Sequence, residues 1–245
     1  MDGWCSVEEL TQFGFASSPV VMANEAHNGL ARCVRTREVG VRMIQAAHQA
    51  GVRRLAMEAL PSPGNEAPEP IREAPSAAGG YLAQPDMRRL IATALELGWS
   101  LWAYEASVDL GKSEAERLSL EYTNWRELEQ AKNLCQVVAA APGDPLLVWC
   151  GNSHASREGG NGWIPMGRHF AATSGIQHFV IDQDVTVDFT GQGPDPWVRD
   201  LLAELGGTLA AHGGCAGILR EQAPPPLDGR TGVDAVVVST DNELT

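Results

Sequence analysis

The chain has 245 residues, of which 31 are Asp or Glu and 18 are Lys or Arg, so its formal net charge is -13. A composition of 44% hydrophobic and 20% charged residues is that of an ordinary globular protein and excludes a wholly disordered chain. The excess of carboxylates disfavours nucleic acids and anionic membrane surfaces as partners, because both are bound mainly through Lys and Arg.

Targeting segments and cysteines point to the compartment. No apolar run approaches the roughly 20 residues of a membrane span. Residues 1–19 lack the basic start of a secretory signal. The five cysteines are scattered and form no CxxC pair, which is typical of reduced thiols rather than a disulfide frame or a zinc site. We therefore expect a cytoplasmic protein with no membrane partner.

Short apolar runs alternate with helical patterns through the first half of the chain. In chain order, we predict a strand at 19–22, a polar loop at 24–29, a helix at 36–50, a strand at 54–58, a loop at 60–80, a helix at 86–97 and a strand at 100–105. The 60–80 loop holds five prolines and three glycines. Its length predicts a lid or binding loop rather than an idle connection.

The second half continues the alternation. We predict a helix at 124–141, a strand at 145–149, a Gly-rich loop to 162, a helix at 167–174, strands at 178–182 and 185–189, a helix at 194–205 and a strand at 233–238. Strands that alternate with helices form a parallel sheet covered by helices. The sequence therefore predicts an α/β fold: one domain with a core at about 19–240, a mainly parallel central sheet flanked by helices, and an active site at the C-terminal edge of the strands.

Ionisable side chains follow the ends of the first four predicted strands. They are Glu25 and His27, then Glu58, then Glu105, and finally His154 with Asn152 beside it. Each alone could be a solvated loop histidine or a surface carboxylate. Because carboxyl ends of parallel strands meet at one edge of a sheet, their occurrence at four successive strands favours a site.

The remaining ionisable groups lack that context. We interpret His48, His169, His178 and His212 as residues without a catalytic role. The group Asp182, Asp184 and Asp188 does not have EF-hand spacing, and we interpret it as a solvated edge.

Two kinds of chemistry suit histidines next to carboxylates. A carboxylate raises the basicity of an imidazole and fixes its tautomer, so the pair can deprotonate water, and an arginine nearby can stabilise an oxyanion. The same groups could instead bind a divalent metal. The chain has no HExxH, GxSxG, Walker A or strand-linked GxGxxG motif, which disfavours zincins, serine α/β-hydrolases, P-loop enzymes and dinucleotide binders.

Five segments resemble motifs of the erythromycin esterase-like superfamily, which includes haem-uptake (ChaN-like) proteins and, more distantly, TraB/Tiki-like proteins. The run VVMANEAHNG at 20–29 resembles its strand-plus-GExxHG opening, and LAME at 55–58 resembles its second motif, a strand that ends in Glu. The other resemblances are WRELEQAKNL at 125–134 to the RDxxMAxN helix, VWCGNSHA at 148–155 to the WGHNAHV loop and the GNxH form of the haem-uptake group, and PMGRHF at 165–170 to the MGxxL helix.

The resemblance implies roles for particular residues. The first-motif His of the esterases is implicated as the base that activates water, with Glu residues in support; here these are His27, Glu25 and Glu58. The helix Arg and the loop His, thought to hold the substrate or transition state, correspond to Arg126 and His154. Substrate contacts are expected from four further residues: Asn28, Arg37, Glu105 and Asn152.

Three hypotheses of function follow. The first is a metal-independent hydrolase or related lyase that uses no cofactor and acts on an ester, lactone or amide in a small-molecule or peptide substrate. The second is a binding protein in which the same edge holds a divalent metal or haem without turnover. The third is a biosynthetic tailoring enzyme that eliminates or cyclises its substrate. The oligomeric state stays open.

Overall fold

The structure is a computed structural model that describes residues 3–25, 31–61, 66–75, 81–107, 111–183 and 195–239. The strands are β1 (Val20–Glu25), β2 (Arg54–Pro61), β3 (Ser100–Glu105), β4 (Leu146–Gly151), β5 (Phe179–Asp182), β6 (Cys215–Leu219) and β7 (Ala235–Ser239). The helices are α1 (Val7–Ser17), α2 (Ala31–Gln49), α3 (Pro85–Glu96), α4 (Glu114–Arg117), α5 (Leu120–Ala140), α6 (Met166–Ser174), α7 (Pro196–Glu204) and α8 (Gly206–Ala211). Short 3-10 turns lie at Tyr81–Ala83, Arg220–Gln222 and Leu227–Gly229.

The seven strands form one sheet in the order β3-β2-β4-β1-β5-β7-β6. All neighbouring pairs are parallel except β6 and β7, which are antiparallel. The predicted α/β class with a mainly parallel sheet is therefore confirmed. Glu25 pairs with Gly151 in register, and Met57 pairs with both Ala103 and Trp149. This register brings the carboxyl ends of β1, β2, β3 and β4 to one edge of the sheet.

Helices bury both faces of the sheet. Side chains alternate along β1, so Val21 and Ala23 belong to one apolar cluster, whereas Val20 and Met22 belong to the other. The first cluster includes the apolar faces of α1, α2 and α3, and the second includes those of α5 and α6. Gly40 on α2 lies so close to the sheet that a Cβ there would be 2.4 Å from the Trp149 ring. A side chain at that position would push α2 away from the sheet.

Several helices match the sequence prediction closely. In α2 the predicted apolar face, Val39, Met43, Ala46 and Ala47, is buried, and Gly51 ends the helix with a φ of +88°. The longest described helix, α5, has 21 residues and begins one turn before the predicted start because Ser119 caps it through the Tyr122 N–H. No helix in the described ranges combines the length and apolar content needed to cross a bilayer.

The structure also corrects the predicted boundaries. β1 continues through Asn24 and Glu25, which the sequence placed in a loop; both are buried, at 3% and 0% exposure. β2 continues to Pro61, and Ile71 from the predicted 60–80 loop bridges to Leu101 of β3. The polar side chains misled the prediction, because they hydrogen-bond inside the protein. The strand predicted at 185–189 lies outside the described residues.

Four elements were absent from the sequence prediction: α1, the short helices α4 and α8, and β6. Two of them are instructive. The first is α1, whose capping box was readable: Ser6 accepts from the Glu9 N–H, and the Glu9 carboxylate accepts from the Ser6 N–H at 2.9 Å. The second is β6, a short strand of small and apolar residues whose antiparallel pairing with β7 depends on contacts distant in sequence.

The buried imidazole of His178 should make the stability of the fold depend on pH below neutrality. His178 is 1% exposed and donates through Nε2 to the Ala155 carbonyl at 3.0 Å. Burial, aided by the Arg157 charge, lowers the pKa of His178 to about 4 although the Ala155 carbonyl and Asp234 oppose the change. The unfolded chain takes up this proton near pH 6.5 and the folded chain only near pH 4, so the free energy of unfolding should fall by about 3 kcal/mol over that interval.

Chemical denaturation of the wild type and of His178→Gln at pH 7 and pH 4.5 measures this contribution. The wild type should lose more stability on acidification than the variant, whose amide can still donate to Ala155. His212→Gln, at a histidine outside this pocket, should retain the wild-type slope. Equal slopes for His178→Gln and the wild type would contradict the assignment.

Candidate functional site

Four of the predicted site residues meet at the carboxyl edge of the sheet. Glu58 is in β2, Glu105 ends β3, and Arg126 is one turn and a half into α5. Arg126 Nη2 donates to Glu58 Oε1 and to Glu105 Oε2, both at 2.5 Å, and Arg126 Nε donates to Glu105 Oε1 at 3.0 Å. His154 completes the group, with Nε2 at 3.7 Å from Glu58 Oε1. These four of the predicted site residues are therefore neighbours at one edge of the sheet.

Glu58 is held by groups from three elements. Its side chain is 7% exposed, and Oε2 accepts the backbone N–H of Gly151 at 2.6 Å. Oε1 receives Arg126 and faces the ring of His154. The carboxylate is thus fixed between the end of β4, the first turns of α5 and the loop that carries His154.

A buried carboxylate holds the other nitrogen of His154. Glu127 is 0% exposed, and its Oε1 lies 2.5 Å from His154 Nδ1. Trp163 Nε1 also donates to Glu127 Oε1 at 3.2 Å, and the Met166 N–H donates to Oε2 at 2.5 Å. These three contacts fix the ring so that Nδ1 faces Glu127 and Nε2 faces Glu58. Buried carboxylate–imidazole pairs of this kind set the tautomer of the ring.

The charge of His154 follows from this environment. Burial by itself opposes protonation, but the charge of Glu58 and the hydrogen bond and charge of Glu127 outweigh it and raise the pKa of His154 to about 8. At pH 7 the ring is therefore mainly an imidazolium whose Nε2–H points toward the Glu58 side of the cluster. The side chain is 14% exposed, so a ligand can reach it.

Arg126 and Glu105 form the second charged pair of the site. Glu105 Oε1 also accepts from Gln130 Nε2 at 3.0 Å and from the Ala106 N–H at 2.7 Å. Burial raises the pKa of Glu105 although Arg126 opposes this. Burial acts against the charge of Arg126, but Glu105 and Glu58 outweigh it and hold the pKa of Arg126 above its ordinary value. Glu105, predicted to bind substrate, is occupied by these donors and positions Arg126, which is 31% exposed.

Glu25 is placed beneath the edge rather than in it. It is 0% exposed, and its carboxylate accepts Arg37 Nε at 2.8 Å, Trp149 Nε1 at 2.8 Å and the Tyr81 hydroxyl. Arg37 is itself 1% exposed and also donates to Gln84 and Asp86. The expectation that Arg37 binds substrate is therefore corrected. Its guanidinium donates to the carboxylates of Glu25 and Asp86 and to the Gln84 amide, and it fixes Glu25.

Three further predictions have different outcomes. Asn152 lies at the edge with a left-handed φ of +43°, and its N–H donates to the Glu25 carbonyl at 2.8 Å. His27 and Asn28 lie outside the described residues, as do Asp184 and Asp188. Asp182 is not part of a solvated edge, because it is 1% exposed and accepts Asn24 Nδ2 at 2.7 Å and Arg230 Nε at 2.5 Å.

The sequence prediction missed the residues that support the site. Glu127 and Gln130 share the buried face of α5 with Ala131 and Leu134, spaced at i, i+3, i+4 and i+7. A carboxylate within an apolar stripe was therefore a readable signal, since buried carboxylates need partners. Tyr81 had no such signal, because its contact with Glu25 depends on how a distant turn packs.

Metal binding was the alternative reading of these residues. Over the ranges that the structure describes, no group of three or more His, Cys, Asp or Glu side chains is arranged to hold a metal ion. The two ring nitrogens of His154 face carboxylates at 2.5 Å and 3.7 Å. These carboxylates favour a protonated ring, whereas a metal ligand must be a neutral one.

No protein-family model and no curated protein matches the chain. Among solved structures, one titled "Bacterial protein toxins" is 15% identical with a TM-score of 0.49, over 78% of this chain and 39% of that one. The type III effector HopBA1 is 17% identical with a TM-score of 0.44, over 77% and 85%. RRSP, a MARTX toxin effector domain from Vibrio vulnificus CMCP6, is 15% identical with a TM-score of 0.45, over 73% and 36%. The chain thus spans about two fifths of the first structure's length.

Proposed function

We propose that the chain is an enzyme, a metal-independent hydrolase or related lyase that acts on an ester, lactone or amide at the carboxyl edge of the sheet. The observation that carries this proposal is the His154–Glu127 pair, in which a carboxylate of 0% exposure holds Nδ1 and leaves Nε2–H toward the site. An oriented imidazolium can donate a proton to a carbonyl oxygen or a leaving group. General acid catalysis of this kind typically contributes about 10²–10⁴-fold in rate.

Arg126 and His154 would together stabilise developing negative charge. Both are cations at neutral pH, and both contact Glu58 Oε1, at 2.5 Å and 3.7 Å. A substrate oxygen that approaches this point meets two donors held in place by protein carboxylates. Donors fixed in advance stabilise an oxyanion without reorganising, and removal of one typically lowers the rate about 10²–10³-fold.

The base in this proposal is His27, as the resemblance to the esterases implies. Its separation of two residues from Glu25 ties it covalently to the carboxyl end of β1. In hydrolysis His27 would take a proton from water as the water oxygen attacks the carbonyl carbon, and His154 would give its proton to the departing oxygen or nitrogen. In a lyase reaction His27 would instead take a proton from substrate carbon, and His154 would serve the leaving group in the same way.

A substrate panel tests the proposal. Chromogenic esters, lactones, amides and modified peptides are assayed at pH 7 with the wild type, His154→Gln and His27→Ala. On any substrate that the wild type converts, we expect each variant to lose about 10²-fold or more in kcat/KM. Circular dichroism should show that both variants keep the fold.

His212→Gln provides the control, because this histidine lies outside the cluster and should retain wild-type turnover. Full turnover by His27→Ala would remove the base from the mechanism, and full turnover by His154→Gln would remove the acid. A panel that the wild type does not convert at all would contradict the proposed reaction class.

A further inference from the structure

A cavity of about 300 Å³ opens at the carboxyl ends of β1 and β5, beside the charged cluster. Asn24 and Asp182 line its buried end, and its walls come from residues 152–163 and 229–233. None of the charged residues Glu58, Glu105, Arg126, Glu127 or His154 lines it. Asn152, Ser153 and Ala155 do, and they flank His154 in the sequence. The cavity therefore adjoins the acid–base cluster as a separate compartment.

One wall presents an acceptor that the protein itself does not use. The side-chain Oδ1 of Asn152 is buried and accepts no hydrogen bond from any residue that the structure describes. The backbone of Asn152 adopts a left-handed φ of +43°, which is uncommon for a residue other than glycine. Buried acceptors without donors are rare in folded proteins, so the free Oδ1 of Asn152 indicates that a ligand supplies the missing donor.

Another part of the lining presents donors. Arg230 Nε donates to Asp182 Oδ2 at 2.5 Å, and Asp182 is fixed in turn by Asn24 Nδ2 at 2.7 Å. The side chain of Arg230 is 36% exposed, and within the described part of the chain its terminal nitrogens donate to no acceptor. Asp182 therefore anchors the guanidinium and leaves its terminal N–H groups available at the cavity.

These features define the chemistry of the occupant. The acceptor on Asn152 requires a donor, and the terminal nitrogens of Arg230 require an acceptor. The charge of Arg230 is compensated by Asp182, and Glu158 adds a carboxylate at the exposed end of the lining, so an anion gains little. Hydroxyl groups are neutral and both donate and accept. The indole of Trp163 adds apolar surface to the same lining, as small-molecule sites typically combine aromatic surface with a few polar groups.

We propose that this cavity binds a neutral, polyhydroxylated ring, such as a hexose unit, as one part of the substrate. A ring hydroxyl would donate to Asn152 Oδ1, and a neighbouring hydroxyl would accept from Arg230. The place of this unit next to the scissile bond rests on the proposed function, because His154 and the cavity share the 152–163 loop. Binding of the unit itself does not depend on turnover.

Ligand-observed NMR on the whole chain tests the binding. The probes are the methyl glycosides of glucose, galactose and mannose, with N-acetylalanine methylamide as a neutral amide of similar size. We expect at least one glycoside to bind the wild type. Asn152→Gly should weaken that binding by about tenfold, because it removes the side-chain acceptor while glycine accepts the left-handed φ without strain.

Asn161→Gly is the matched control. Asn161 lies in the same loop, has a φ of +54° and does not line the cavity, so the substitution changes the backbone in the same way and should leave binding unchanged. Three results would each overturn the inference: the wild type binds no glycoside, it binds only the amide, or Asn152→Gly binds the glycoside as tightly as the wild type does. Glycoside binding without turnover of the panel would overturn the proposed function and leave the cavity assignment standing.

Discussion

Replacement of Glu127 by Gln should make His154 a neutral imidazole at pH 7 and lower turnover by about 10²-fold or more. Glu127 offers two oxygens to three donors: His154 Nδ1 and Trp163 Nε1 at one, and the Met166 N–H at the other. A glutamine has a single oxygen. When the glutamine oxygen accepts from the Met166 N–H, the glutamine NH₂ group faces the His154 ring. When the oxygen faces the ring instead, the NH₂ group faces the Met166 N–H, and two donors then oppose each other.

The direction of the pKa change follows from the charges. His154 is buried, which lowers its pKa, and the negative charges of Glu58 and Glu127 raise it to about 8. Glu127→Gln removes one of these charges and keeps the burial, so the pKa of His154 should fall toward its ordinary value of about 6.5 or below. The fraction of enzyme with a protonated His154 then declines at neutral pH, and the alkaline limb of kcat/KM should move to lower pH.

Histidine NMR titration and the pH dependence of kcat/KM measure the two effects separately. The titration needs no substrate, so it tests the electrostatics even before the reaction is known. Glu129→Gln is the matched control, because Glu129 is on the same helix, its side chain is 33% exposed, and among the described residues it forms an ion pair with the exposed Lys132 rather than with His154. It should change neither quantity. If His154 had the same pKa in Glu127→Gln as in the wild type, the His154–Glu127 pair would not set the protonation of the ring.

The predictable part of the site is the part encoded locally. Glu58, Glu105 and His154 follow apolar runs that sequence periodicity identifies, and the parallel sheet then makes their proximity a matter of topology. Arg126 was proposed as a site residue from the resemblance of residues 125–134 to a helix motif of the esterases, and its contacts with Glu58 and Glu105 come from the structure. Polar strand ends were harder to place, because a buried Asn24 or Glu25 looks like the start of a loop until its partners are known.

The unpredictable part depends on packing between distant segments. Arg37 was expected at the substrate, yet it is enclosed by Glu25 from β1 and by Gln84 and Asp86 from the start of α3. No sequence pattern encodes this enclosure, because it requires α2 and α3 to be packed on the sheet first. The free acceptor of Asn152 was likewise invisible, since it depends on which donors the folded chain places around that side chain.

Two arginines, Arg126 and Arg37, each bind two carboxylates near this edge of the sheet, and the two groups lie at different depths, an upper level and a lower level. Arg126 holds Glu58 and Glu105 where the site is partly exposed, and Arg37 holds Glu25 and Asp86 below it. Charges at the upper level can respond to a ligand. Charges at the lower level are enclosed, so their loss should appear in the stability of the fold.

Replacement of Arg37 by Met should therefore destabilise the fold by about 3–5 kcal/mol. The guanidinium donates through Nε and Nη2 to Glu25, at 2.8 Å and 3.1 Å, and the side chains of Arg37 and Glu25 are 1% and 0% exposed. Methionine fills much of the same volume but leaves the Glu25 carboxylate buried without its cation. Removal of one partner of a buried ion pair is costly because the other charge can reach neither water nor a counter-ion.

Chemical denaturation of Arg37→Met against Arg89→Met gives the measurement and its control. Arg89 is 66% exposed and lies 3.9 Å from Glu38, so the same substitution there should change stability by only about 0.5 kcal/mol. The double variant Arg37→Met with Glu25→Gln removes both charges and should be less destabilised than the sum of its single variants. If Arg37→Met does not fold, folding of the double variant still reports the coupling, because it shows that removal of the Glu25 charge restores stability. Equal stability of Arg37→Met and Arg89→Met would mean that Glu25 does not depend on Arg37, and the lower charged level would then have no structural role.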